Sequence, residues 1–77
     1  MAGLLESVFS IVLDIPESEL SDATAQSSTR QWDSLASMHL VAAIETTFNI
    51  RLSSKDIARM DSIGAARAVL IEKNVKL

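Results

Sequence analysis

The stretch Gln31-Trp32-Asp33-Ser34-Leu35 hands over directly to the apolar run Met38-His39-Leu40-Val41-Ala42-Ala43-Ile44-Glu45, and this junction constrains the fold more than any other part of the chain. Asp and Ser favour helix starts because a short side-chain oxygen accepts from an amide that has no intrahelical partner. Either Asp33 or Ser34 can supply that cap, so the pattern predicts a helix from about Ser34 to Phe48. Ser34 then sits in the first turn with its hydroxyl near solvent. Free amides and the positive dipole end favour a negative group such as phosphate there, which makes Ser34 a candidate to carry one.

Stepped at 3.6 residues per turn, this helix divides its apolar residues into two stripes. Leu40, Val41, Ile44 and Phe48 form the predicted core stripe, and His39, Ala36, Ala43 and Thr46 fall on the polar side. Leu35, Met38 and Ala42 form a second stripe, which makes the helix more apolar than one packed face of a small bundle requires. That stripe is a candidate partner surface.

Three further helices are predicted around it. Leu4, Leu5, Val8, Phe9, Val12 and Leu13 recur at three- and four-residue steps, and Pro16 disfavours helical geometry at Ile15, so a first helix should end near Leu13 or Asp14. Ser53 with Asp56 three residues later has the form of a capping box and opens a short helix to about Met60. Asp61-Ser62 caps a fourth, whose inward residues are Ile63, Ala66, Val69 and Leu70, with Arg67, Glu72 and Lys73 solvated and Gly64 costing up to about 1 kcal/mol relative to Ala. Asn49 suits the end of helix two. Between helices one and two, Pro16 to Gln31 reads as a long polar loop anchored by Leu20 and Trp32, the latter a core plug. The expected fold class is all-α: a four-helix bundle with three main helices, a short third helix and a long first connection, forming one domain over residues 1–77.

Composition narrows the function. At 77 residues and 48% hydrophobic content the chain can bury one core, and at roughly 0.05 to 0.15 kcal/mol per residue its stability is modest. It has no cysteine, which excludes disulfides, thiolate metal sites and cysteine nucleophiles, and its one histidine makes no metal cluster. The start Met1-Ala2-Gly3-Leu4-Leu5-Glu6 lacks a basic region and is broken by Glu6, so it does not read as a signal peptide, and no stretch approaches a bilayer span. A cytoplasmic protein is expected. A net charge of −3 argues against nucleic acid as a partner. The charge is uneven: five acids and no base precede Arg30, whereas six bases face three acids from Arg51 onward. Two readings follow, an ordinary mixed surface or a partner-facing basic patch.

No catalytic constellation emerges, and an enzyme is not expected. His39 is the one candidate base for Ser34, but five residues along a helix turn through about 500°, which points the two side chains apart. Asp33 and Glu45 lie more than three turns apart, too far for paired carboxylate chemistry.

Trp32-Asp33-Ser34-Leu35 opening an amphipathic helix, followed by Glu45-Thr46-Thr47-Phe48-Asn49-Ile50 and Met60-Asp61-Ser62-Ile63-Gly64, resembles the acyl carrier protein family over nearly the whole chain. Asp-Ser-Leu alone is a weak tripeptide; its place after a long loop, at the start of helix two of four, is what makes it specific. The resemblance implies that Ser34 is joined through a phosphodiester to 4'-phosphopantetheine, whose thiol holds acyl or aminoacyl groups as thioesters. It implies that Asp33 matches the residue read by the phosphopantetheinyl transferase, and that the space between helices two and three shelters an acyl chain. Acyl-loading and acyl-processing enzymes are the implied partners of a monomeric carrier serving fatty acid, polyketide or related biosynthesis. Leu35, Met38, His39, Ala42, Glu45, Lys55 and Arg59, with Asp33, are the expected partner-facing residues.

The sequence departs from the family in charge. Ala36, His39 and Thr46 are neutral where helix two is commonly acidic, leaving Asp33 and Glu45, and Arg51, Lys55 and Arg59 recur every four residues where helix three is usually acidic. These departures put service to a housekeeping fatty acid synthase in doubt and point to a specialised stand-alone member. An aminoacyl or peptidyl carrier is the alternative within the class. Outside it stands an unmodified helical interaction module whose Leu35/Met38/Ala42 stripe binds a partner helix.

Overall fold

Each predicted helix forms, and each ends for a local reason. A computed structural model describes residues 3–77, so the reading of Met1 and Ala2 as a non-leader lies outside the described residues. Helix α1 spans Leu4–Leu13, α2 Ser34–Phe48, α3 Ser54–Arg59 and α4 Ile63–Glu72. The fold is an all-α bundle, and among the described residues the one strand-like pairing is an isolated antiparallel bridge between Ala25 and Ser62.

In α1, the Gly3 amide donates to Glu6 Oε1 at 3.2 Å. The helix stops because Asp14 turns left-handed, at φ 57°, and the Ile15 amide then closes back on the Ser10 carbonyl at 3.2 Å. Pro16 fixes the exit. Helix α2 ends the same way: Asn49 takes φ 54°, and both its amide and that of Ile50 return to the Glu45 carbonyl. Ser53 and Asp56 form the capping box that opens α3, at 3.0 and 3.1 Å. The Ser62 hydroxyl accepts from the Ala65 amide to open α4.

The core is shared by α1 (Leu5, Phe9), α2 (Leu40, Ile44) and α4 (Ile63, Ala66, Val69, Leu70). Trp32 plugs it from the loop, 3% exposed, with its ring edge-on to Phe9 at a centroid distance of 5.1 Å.

The long loop from Pro16 to Gln31 forms as expected and carries two 3₁₀ turns, at Glu17–Glu19 and Gln26–Ser28. Three expectations are corrected. Ala36 belongs to the core rather than the polar side, because positions 36, 40 and 44 are spaced by four and share one buried face; Ala43 is half-buried against the same core, while His39 and Thr46 are exposed. Phe48 is also half-buried rather than central. Arg67 is not simply solvated: it pairs with Glu6 on α1 and with Asp22 on the long connection, and is 27% exposed. Glu72 and Lys73 are likewise engaged, with Arg59 and Asp56. Part of the charge asymmetry is therefore offset inside the molecule, where Arg67 meets Glu6 and Asp22, whereas Arg59–Glu72 and Lys73–Asp56 pair within the C-terminal third.

Gly64 has a specific role. Its amide donates to the Asp22 carbonyl at 3.0 Å, and a Cβ built on it would lie 3.0 Å from that same oxygen. The chain needs a residue without a side chain where the connection crosses α4.

Candidate functional site

The Asp33 carboxylate accepts from the Ala36 amide at 2.9 Å, so Asp33 is the cap of α2 and Ser34 its first helical residue. The next amide, of Ser37, is taken by the Asp33 carbonyl at 2.9 Å. Among the described residues this leaves the Ser34 and Leu35 amides without an intramolecular acceptor, at the positive end of a fifteen-residue helix. Ser34 is exposed. Its surroundings fit a covalently attached phosphodiester: the hydroxyl is open to a modifying enzyme, and neighbouring amides face a negative group without rearrangement.

A cleft of about 290 Å³ opens beside it, between α2 and α3. Ser34 and Ser37 contribute to its wall from α2, with Leu40 and Val41 deeper along the same helix; Ile57 and Met60 face them, and Phe9 and Trp32 complete the apolar lining. The Trp32 indole N–H donates to the Ser37 hydroxyl at 3.0 Å, which satisfies a buried donor and fixes the indole beside the first turn of α2. The bundle thus holds an exposed serine above a partly apolar groove.

The other candidate residues divide into free and engaged groups. Leu35 and Met38 are 61% and 68% exposed, and His39 and Ala42 are exposed beside them, so α2 presents an open and largely apolar outer face. Glu45 is engaged: its carboxylate accepts from the Leu52 amide at 2.9 Å and ties the α2–α3 connection to α2. Arg59 forms a two-pronged pair with Glu72, at 2.9 and 2.6 Å, and that contact raises the guanidinium pKa and lowers that of the Glu72 carboxyl. Of the basic row, Arg51 and Lys55 remain exposed and outside the ion pairs of the described residues.

Sequence reasoning missed Ser37, Gln26 and Asp61 as parts of the cleft. Ser37 lies five residues from Trp32, a spacing that carries no signal of its own. Gln26 and Asp61 are brought together by the loop bridge, a tertiary event.

These features define a class: a small helical domain that displays a serine hydroxyl at the head of its longest helix, beside a groove. A family model described as "phosphopantetheine attachment site" matches residues 3–70. The chain belongs to that family, as a carrier domain of the acyl carrier protein kind. Such domains carry 4'-phosphopantetheine covalently on a serine and are generally carriers rather than catalysts. Among curated proteins no match was found. No helix among the described residues is long and apolar enough to cross a membrane.

Proposed function

We propose that Ser34 is the serine that takes the prosthetic group, and that this single carrier domain holds acyl intermediates as thioesters and presents them to the enzymes of a fatty acid, polyketide or related pathway. The observation that carries this reading is the exposed Ser34 hydroxyl at the Asp33-capped start of α2, at the rim of the α2–α3 cleft. When attached, the group supplies a thiol on a long flexible arm. The chain's own residues orient the attachment point, present the outer face of α2 and shelter cargo between α2 and α3. A monomer in the cytoplasm is the setting this implies. Exposure to a phosphopantetheinyl transferase and coenzyme A should add one phosphopantetheinyl mass, located on Ser34 by peptide mapping. A Ser34→Ala protein that still gains that mass would refute the assignment.

Partner choice follows from the free residues. Leu35, Met38 and Ala42 supply apolar contact, Asp33 stands beside the attachment point, and His39 and Lys55 provide a neutral-to-basic rim where partners of acidic carriers expect carboxylates. Glu45 and Arg59 contribute less, because each already has an intramolecular partner. Rim charges act mainly on encounter rate and on exclusion of wrong surfaces. Turnover by enzymes with basic docking patches should therefore rise a few-fold in a His39→Glu/Thr46→Glu variant at low salt, and the gain should shrink once the Debye length falls below about 10 Å. Equal rates for both proteins at both ionic strengths would refute the electrostatic account. Ala36→Asp is unsuitable for this test, since Ala36 is buried.

A further inference from the structure

The cleft beside Ser34 is not apolar throughout. Gln26 and Asp61 line it from the loop side, and the same two residues, with Ala25 and Ser27, line a second depression of about 300 Å³. Gln26 and Asp61 therefore stand on the divide between the two hollows. Their positions are fixed by backbone rather than by side chain: the Gln26 amide donates to the Asp61 carbonyl at 2.9 Å, the Ile63 amide to the Thr24 carbonyl at 3.0 Å, and Ala25 and Ser62 form the isolated bridge. Among the described residues neither the Gln26 carboxamide nor the Asp61 carboxylate has an intramolecular hydrogen-bond or ion-pair partner. At the other side, the Phe9–Trp32 pair is locked edge to face and Trp32 is held by Ser37, so an aromatic wall stands where the cargo would otherwise run into the core.

A cargo lying in this cleft thus meets apolar walls together with a carboxylate and a carboxamide on the loop side. Covering those two groups with a plain alkyl end would strip water from them without replacing its hydrogen bonds. A hydroxyl or ammonium at that point would replace them, and a hydrogen bond to a charged acceptor is among the stronger kinds. At the liquid share of about 30 Å³ per water-sized group, the first hollow accommodates about ten such groups, which suits a short chain.

We infer that Gln26 and Asp61 set cargo specificity, and that the cleft is built for short acyl groups bearing a hydrogen-bond donor. This rests on Ser34 being the attachment point. It names the cargo class that the carrier reading leaves open.

The test uses the full chain charged from hexanoyl-, 6-hydroxyhexanoyl- and 6-aminohexanoyl-coenzyme A by a permissive phosphopantetheinyl transferase. Thioester cleavage by hydroxylamine reports shelter of the cargo, and emission from Trp32, the single tryptophan, reports occupancy of the cleft. The hydroxy and amino cargoes should be cleaved about tenfold more slowly than hexanoyl, the equivalent of one modest hydrogen bond, with a Trp32 emission shift that hexanoyl does not produce. Protection of the amino cargo alone also supports the inference, and assigns the preference to charge. In a Gln26→Leu/Asp61→Leu variant, which leaves the backbone bridge intact, the order should reverse in favour of hexanoyl; a melting curve confirms that this variant folds. Equal cleavage of all three cargoes on a modified Ser34, or an order unchanged by the double substitution, overturns this inference alone. Failure of Ser34 to accept the arm, read by mass, overturns both it and the carrier assignment.

Discussion

The α1–α4 side and the α2–α3 side of this molecule are held by different kinds of contact. Where α1, α4 and the long connection meet, fully buried Leu5, Phe9, Ile63 and Leu70 are backed by charge and by backbone. Arg67 bridges Glu6 and Asp22, and three backbone bonds tie the connection to the start of α4. Helix α3, by contrast, has six residues and buries none of them, and it is fastened to α4 by the exposed Arg59–Glu72 pair and by Asp56–Lys73. A helix so short has little stability of its own, and exposed ion pairs add typically 0.2–1 kcal/mol each. The outer face of α2 is left bare. The comparison separates two kinds of surface: one side is a scaffold over-determined by packing, and the other combines an open apolar face with a weakly fastened wall over the cleft. Elements that move or bind are drawn from the weakly held end of a fold.

The contrast is sharpest in a pair of truncations. Phe9→Ala removes a fully buried ring that also supports Trp32, and should cost about 3–5 kcal/mol, comparable to the whole stability of a domain this size. Met38→Ala, on the open face of α2, should change stability by less than about 0.5 kcal/mol while slowing transfer to partner enzymes. Urea unfolding of both variants checks this, and a comparable loss from Met38→Ala would mean that the outer face is structural. Phe48→Ala should fall between them, because Phe48 is half-buried.

Gly64 tests the scaffold side by a substitution that ordinarily helps a helix. Ala at an unconstrained helical Gly gains up to about 1 kcal/mol. Here the new methyl would press on the Asp22 carbonyl at 3.0 Å and strain the crossing of connection and α4, and overpacking of this kind costs about 1–3 kcal/mol. A net loss is expected in Gly64→Ala, with Arg67 pulled from Asp22. A gain in melting temperature would show that the crossing yields easily.

What was legible in the sequence follows the range of the interactions. Helix starts and stops were readable because they are local: Asp33, Ser53 and Ser62 cap from within four residues, and Asn49 needs only a left-handed turn. The α4 core set was readable from periodicity. Ala36 reads poorly because its small side chain carries little hydrophobic signal, although it shares a buried face with Leu40 and Ile44. The order within the long connection was invisible, since Asp22, Thr24 and Gln26 acquire partners only when α4 arrives some forty residues later. The same holds for the site: the Asp33-Ser34 head of α2 was legible, whereas the Gln26 and Asp61 side of the cleft was not.

Acid should separate the two sides with the smallest perturbation. Contact with Lys73, aided by the Ser53 amide, lowers the Asp56 carboxyl from its ordinary 3.8 to about 2. Arg59 lowers Glu72, and Arg67 lowers Glu6, each from an ordinary 4.5. A carboxyl whose folded pKa lies below its unfolded value binds fewer protons when folded, so its contribution is complete above the unfolded value and fades as pH falls through the folded one. The window therefore runs from about pH 5 down to about 2, and stability should rise with pH across it. On the scaffold side, protonating Glu6 leaves the buried core and the backbone ties in place. On the α3 side the helix itself buries no residue and the titrating pairs join it to α4, so the amides of residues 54–59 should lose hydrogen-exchange protection before those of α1 and α4. Lys73→Met should flatten the pH response at α3, because Asp56 then keeps a pKa nearer its ordinary value. Uniform loss of protection along the chain would place α3 in the same cooperative unit as the core, and the wall of the cleft would then be as firm as the scaffold behind it.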